Sequence, residues 1–156
     1  MKKLRIYIDT SVIGGCFDRE FEEWSKQLMN DFRQQRYMPI LSDLTAAEIA
    51  PAPSFVQSVH EELLSLKAEV VSVSDETILL VEQYKVREIL GKRYYNDMLH
   101  IALATIADVD VLVSWNFKHI VRLEKIRLFN AVNLEQGYKP LTIYSPREVI
   151  SYDDGK

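Results

Sequence analysis

The stretch Leu4-Arg5-Ile6-Tyr7-Ile8-Asp9 is an apolar run that stops on a carboxylate. A run this short and this apolar reads as a strand buried on both faces, because a half-exposed strand would alternate apolar and polar side chains. Similar runs recur at Pro39-Ile40-Leu41-Ser42, Val70-Val71-Ser72-Val73, Val111-Leu112-Val113-Ser114 and Leu141 to Tyr144. Helical spacing fills the intervals between them. Phe21, Trp24, Leu28 and Phe32 recur three or four residues apart and predict a helix over 20–36. Thr45 to Ile49 reads as a short helix broken by Ala50-Pro51-Ala52-Pro53. Ser54 is placed to cap a helix with the stripe Phe55, Val59, Leu63 and Leu66, and Ser74 to cap another that runs to Leu90 and stops at Gly91. Asn96 starts a helix to about Ala107; a turn and helical stretch run to Gln136 and end at Gly137; Pro146 starts a last helical turn. Strands alternating with helices imply parallel pairing, so the expected fold is α/β, a short parallel sheet of about five strands sandwiched between helices.

The 156 residues suit one domain, expected over 1–150 with a short polar tail over 151–156. A 47% hydrophobic composition supports a real core and argues against disorder. No apolar run is long enough to cross a membrane, and no signal-peptide pattern precedes the first strand. The single Cys16 cannot form an internal disulfide and lacks partners at zinc spacing, which makes the cytoplasm the default location. A net charge of −4 does not advertise nucleic-acid binding, yet Lys85 to Arg127 carries eight Lys/Arg against five Asp/Glu, so that segment is +3 and the rest −7. Such a stretch forms either a solvated face or a surface that meets phosphate.

Acids sit beside three of the apolar elements. Asp9 ends the first run; Glu48 lies in Leu44-Thr45-Ala46-Ala47-Glu48-Ile49; Asp97 opens Asn96-Asp97-Met98-Leu99-His100-Ile101-Ala102-Leu103-Ala104. Carboxylates that a fold draws together make a site for a hard cation. Each has a plainer reading. Asp9 can cap the following turn, Glu48 can be an exposed helical glutamate, and Asp97 can be stabilised by the helix dipole; against the last, Asn96 can supply the cap and leave Asp97 free for a ligand role. After Asp9, Thr10 and Ser11 supply hydroxyls that can reach phosphate oxygens. Ser114-Trp115-Asn116-Phe117-Lys118-His119 carries polar groups directly beyond a strand. Asn116 can offer a carbonyl oxygen to a metal, and His119 can order a water or contact phosphate, although a lone histidine is more often structural. Trp115 and Phe117 read as packing residues. Lys92, Arg93, Lys118 and Arg122 can guide a nucleic-acid strand; Tyr94 and Tyr95 can stack bases or pack in the core.

Taken together, Ile8-Asp9-Thr10-Ser11-Val12, Thr45-Ala46-Ala47-Glu48-Ile49, Asn96-Asp97 leading into Ile101-Ala102-Leu103-Ala104, and Val111 to Asn116 resemble the PIN domain, over almost the whole chain. That family includes the VapC-type toxins of prokaryotic toxin–antitoxin pairs. The resemblance implies a parallel sheet between helices, acids gathered in one cleft, and Mg²⁺- or Mn²⁺-dependent cleavage of RNA phosphodiesters. Asp9, Glu48 and Asp97 match the three core acids. Asn116 stands where the family often has a further Asp, which removes a negative charge and should weaken a second metal. The resemblance also implies an antitoxin that shields the cleft by placing a basic side chain among the carboxylates. Self-association, as a homodimer, is compatible with the many aromatic residues. Two other classes compete. One is a PIN-like RNA-binding or regulatory module that has lost its chemistry. The other is a phosphoryl-transfer domain with Asp9 as nucleophile. The latter is disfavoured because Asp9-Thr10-Ser11 lacks the second Asp of the haloacid dehalogenase-like pattern and the chain lacks the acidic pair of response-regulator receivers.

Overall fold

The computed structural model describes residues 2–152. Its five strands are β1 (Leu4–Ile8), β2 (Tyr37–Ser42), β3 (Glu69–Val71), β4 (Val111–Val113) and β5 (Ile143–Tyr144). They form one all-parallel sheet in the order β3-β2-β1-β4-β5. The helices are α1 (Thr10–Gly15), α2 (Glu22–Arg33), α3 (Asp43–Ile49), α4 (Ser54–Ser65), α5 (Asp75–Val86), α6 (Tyr95–Ile106), α7 (Leu123–Glu135) and α8 (Pro146–Val149), with a 3₁₀ turn over Lys92–Tyr94. The expected α/β sandwich is what forms.

Alternation along the strands splits the core into two layers. Tyr7, Ile40, Leu112 and Ile143 point to the layer packed with α5, α6 and α7 side chains such as Leu80, Leu103 and Phe129. Ile6, Ile8, Leu41, Val111 and Val113 point to the other, with Leu28 and Phe32 of α2 and Leu63 of α4. All five expected strands form, with shifted bounds at the edges: β2 starts at Tyr37, β3 ends at Val71 short of Val73, and β5 starts at Ile143, not Leu141. The central strands are the clearest because a strand buried on both faces needs apolar side chains at every buried position. Among the described residues no helix is long and apolar enough to cross a membrane.

Four local expectations need correction. Thr10-Ser11-Val12-Ile13 is the start of helix α1, where only a turn was expected. Its β-branched residues and glycines are poor helix formers, so the helix rests on burial of Val12, Ile13 and Gly15. Ser54 is the first helical residue, not the cap; Pro53 holds that position. Helix α5 ends at Val86, short of Gly91, because Glu88 takes a left-handed conformation (φ 53°) and turns the chain. Helix α6 begins at Tyr95 after the 3₁₀ turn, so Asn96 lies inside it and does not cap it. Ser74 does cap α5, through a reciprocal bond pair with Thr77, and Gly137 ends α7 with φ 88°. Of the expected tail, Ser151 donates its backbone N–H and its hydroxyl to the buried Asp31; residues 153–156 lie outside the described residues.

Candidate active site

The strand order turns back on itself between β1 and β4, which leaves a crevice beyond their carboxyl ends. Register fills it. Ile8 pairs with Val113, so the next residues, Asp9 and Ser114, stand side by side. Ser114 Oγ donates to Asp9 Oδ2 at 2.6 Å, and Ser11 Oγ donates to Asp9 Oδ1 at 2.6 Å. Asp9 occupies the cap position of α1 but makes no side-chain capping bond. Its two carboxylate oxygens are taken by the Ser11 and Ser114 hydroxyls. Burial pushes its pKa above the usual carboxylate range, and the His100 imidazole and the two serine hydroxyls draw it back only in part.

Glu48 arrives from the other side. Ser42, at the end of β2, caps α3 by accepting from the Thr45 N–H at 3.2 Å. Glu48 follows in the last turn of that helix. Its Oε1 accepts from Thr10 Oγ1 at 2.7 Å and is bonded to His100 Nε2 at 2.7 Å. Burial opposes the Glu48 charge, but the bond and attraction of His100, the Thr10 hydroxyl and the Asn96 amide outweigh it and hold the carboxyl below its usual range. Asp97 sits in the first turn of α6, one turn before His100. Its Oδ2 is bonded to His119 Nδ1 at 2.9 Å. His119 N–H donates to Asn116 Oδ1 at 3.0 Å, and Asn116 N–H donates to Ser114 Oγ at 2.9 Å.

These bonds link the three acids from three parts of the chain. From Asp9 the path runs through Ser114, Asn116 and His119 to Asp97, along α6 to His100, and across to Glu48 and Thr10. Asp9, Thr10, Ser11, Glu48, Asp97, Asn116 and His119 therefore gather at one end of the sheet. Arg93 and Lys118 are exposed at its edge, where the Arg93 guanidinium and the Lys118 ammonium stand 4.8 and 6.0 Å from the Tyr94 ring centre. Tyr94 itself packs on His119, with ring centres 3.9 Å apart. Trp115 packs in the core, stacked on Phe21, and its Nε1–H donates to Ser25; Phe117 is exposed.

Two participants carry no assigned role in the sequence reading. His100 is 3% exposed on a helix whose other buried side chains, Thr105 apart, are apolar, and that setting is the signal that marks it. Tyr7, fully buried in β1, bonds His100 Nδ1 at 2.7 Å and Ser42 Oγ at 2.8 Å.

The PIN domain family model matches residues 6–121. The chain belongs to the PIN domain family. The matched segment holds every acid of the site. No curated protein matches this sequence. Among solved structures, this PIN domain is similar to a chain of VapBC2 from Rickettsia felis bound to a DNA fragment from their promoter, at TM-score 0.57 and 14% identity, covering 91% of this chain and 98% of that one. It is also similar to a chain of DNA-bound VapBC from Salmonella typhimurium, at TM-score 0.55 and 16% identity, covering 92% and 98%. A third likeness, to VapBC-1 from nontypeable Haemophilus influenzae, has TM-score 0.55 and 15% identity, covering 92% and 99%. At these identities the likeness is one of fold.

Proposed function

We propose that this PIN domain is a divalent-metal-dependent endoribonuclease of the VapC kind, the toxin of a type II toxin–antitoxin pair, with Mg²⁺ or Mn²⁺ as cofactor and a cognate antitoxin as partner. The observation that supports the reading is the run of hydrogen bonds that joins Asp9 to Asp97 through Ser114, Asn116 and His119, and joins Glu48 to His100 on the same helix as Asp97. The fold likeness to chains of VapBC assemblies supports the toxin assignment.

The donors suit such an ion in kind. Carboxylate oxygens are the ligands that hard divalent cations take, and each carboxylate keeps lone pairs beyond those its hydrogen bonds use. In spacing, no three His, Cys, Asp or Glu side chains among the described residues already form a group that could hold an ion. Glu48 and Asp97 each give one carboxylate oxygen to an imidazole, Oε1 to His100 Nε2 and Oδ2 to His119 Nδ1. Asp9, Glu48 and Asp97 would hold the ion, with Asn116 as an uncharged oxygen donor. Once bound, an ion of this class lowers the pKa of its water and offsets charge on the phosphate in the transition state.

The chain's own residues do the rest. Ser11 and Ser114 orient the buried Asp9 and favour its charged form. Thr10 and His100 fix Glu48. His119, held on Asp97 through Nδ1, keeps Nε2 for a phosphate oxygen or an ordered water. Arg93 and Lys118 add positive charge where an RNA backbone would pass.

Asn116 favours a second reading, a catalytically weak or inactive RNA-binding module. Its Oδ1 accepts the His119 N–H and so shapes a turn, and it brings no charge to the crevice. One experiment separates the two. Fluorescent single-stranded RNAs are incubated with wild type or Asp97→Asn protein in Mn²⁺, Mg²⁺ or EDTA. Cutting that needs metal and disappears in Asp97→Asn supports the nuclease. RNA binding without cutting in any metal supports the module.

A further inference from the structure

We propose that Tyr7 and His100 form a strut that positions Glu48 for metal binding, an inference that rests on the metal-nuclease reading. Glu48 sits near the end of a short helix, and its side chain is 29% exposed. A glutamate so placed has three freely turning bonds and would sample many rotamers. Here one oxygen is pinned from two sides, by Thr10 Oγ1 and by His100 Nε2, each at 2.7 Å.

His100 is an expensive choice for its place. The surrounding positions on α6 are Met98, Leu99, Ile101, Ala102 and Leu103, all buried, and an apolar residue would pack there without desolvating two ring nitrogens. Both nitrogens are instead used, Nε2 on Glu48 and Nδ1 on the Tyr7 hydroxyl at 2.7 Å. The two rings meet edge to face, with centres 5.7 Å apart. Tyr7 is equally committed. It is fully buried in the central strand, and its hydroxyl also bonds Ser42 Oγ at 2.8 Å. Ser42 is the residue that caps the helix carrying Glu48. The chain of bonds thus closes on itself: cap, tyrosine, histidine, glutamate, and back along α3 to the cap. It ties β1, β2 and α6 to one carboxylate oxygen. Groups of this kind, behind the ligating side chains, commonly change metal affinity by about 10–100-fold when removed.

Three variants of the full chain test the strut, with Mn²⁺ binding read by calorimetry and kcat and KM for RNA read separately. His100→Leu fills the space without an N–H. Tyr7→Phe deletes a single oxygen and carries the test if His100→Leu does not fold. His100→Gln returns an N–H to about the position of Nε2. The expected result is a loss of Mn²⁺ affinity of about 10–100-fold in His100→Leu, a smaller loss in Tyr7→Phe, recovery in His100→Gln, and an unchanged KM for RNA. Folded variants that bind Mn²⁺ as wild type does overturn the strut, as does a loss confined to the unfolding midpoint. Wild type that neither binds Mn²⁺ nor cuts RNA overturns the nuclease reading itself and the strut with it. Active wild type with indifferent variants overturns the strut alone.

Discussion

Ser114 Oγ lies 2.6 Å from Asp9 Oδ2, across the seam where β4 runs beside β1. The contact follows from register, and it gives a buried carboxylate one of its two hydroxyl donors. Ser114→Ala removes it without changing the strand. Asp9 then keeps only the Ser11 hydroxyl among side chains, and its charged form becomes harder to hold. We expect a stability loss of about 1–3 kcal/mol at neutral pH, measured by urea unfolding. Weaker Mn²⁺ binding should accompany it in calorimetry. Unchanged unfolding and unchanged Mn²⁺ binding would show that Ser114 does not support Asp9.

The apo protein should respond to pH through two acids of opposite sign. Asp9 has a raised pKa in the folded state, so the stability it contributes is present below the ordinary carboxylate pKa and is lost as pH rises through the raised value. Glu48 has a lowered pKa, so its contribution is present above the ordinary value and is lost as pH falls through the lowered one. Asp9→Asn should therefore leave the metal-free protein at least as stable as wild type at neutral pH, and Glu48→Gln should make it less stable. Urea midpoints in EDTA from about pH 3 to about pH 8 read both. A neutral-pH loss in Asp9→Asn larger than that in Glu48→Gln would reverse the assignment. Both substitutions should abolish metal-dependent cleavage, so stability and activity part company at Asp9.

Helix α1 sets the direction in which Thr10 and Ser11 face, and two adjacent glycines in it should behave differently. A Cβ at Gly15 would lie 2.6 Å from Ser25 Oγ and 2.7 Å from Trp115 Nε1, inside the hydrogen bond between them. A Cβ at Gly14 would meet nothing. Gly15→Ala is expected to destabilise by about 1–3 kcal/mol through overpacking, and Gly14→Ala to be neutral or stabilising by up to about 1 kcal/mol. Thermal unfolding of the pair checks this. Equal midpoints would mean that α1 does not press against Trp115.

The centre of the sheet was legible because β4 and the carboxyl halves of β1 and β2 are buried on both faces and apolar, as at Ile6, Ile8, Leu112 and Val113. The acids were legible at the level of place, since each borders such an element. Their convergence was an expectation of the family resemblance, because sequence spacing does not say that β4 lies beside β1. Helix α1 was hidden by local propensity, and the end of α5 by Glu88, a residue type that rarely takes a left-handed φ. His100 was hidden differently. It stands within an apolar helix that reads as core, and only the position of Glu48, 2.7 Å away and 52 residues distant in sequence, makes its placement meaningful.

Asn116 offers the sharpest test of how much charge the site needs. Its Oδ1 accepts the His119 N–H at 3.0 Å, a bond that an aspartate oxygen accepts equally well. Asn116→Asp should therefore keep the turn and fold normally while adding a fourth carboxylate beyond β4. In the metal-free protein that extra charge adds repulsion near Asp97 and Asp9, which should lower the unfolding midpoint slightly at low ionic strength. With Mn²⁺ present the sign reverses, because divalent ions are held largely by ligand charge. We expect tighter Mn²⁺ binding by calorimetry and faster RNA cleavage than wild type. An Asn116→Asp protein that folds, binds Mn²⁺ no better and cuts no faster would show that this position serves the turn alone, and that Asp9, Glu48 and Asp97 suffice for whatever chemistry the crevice performs.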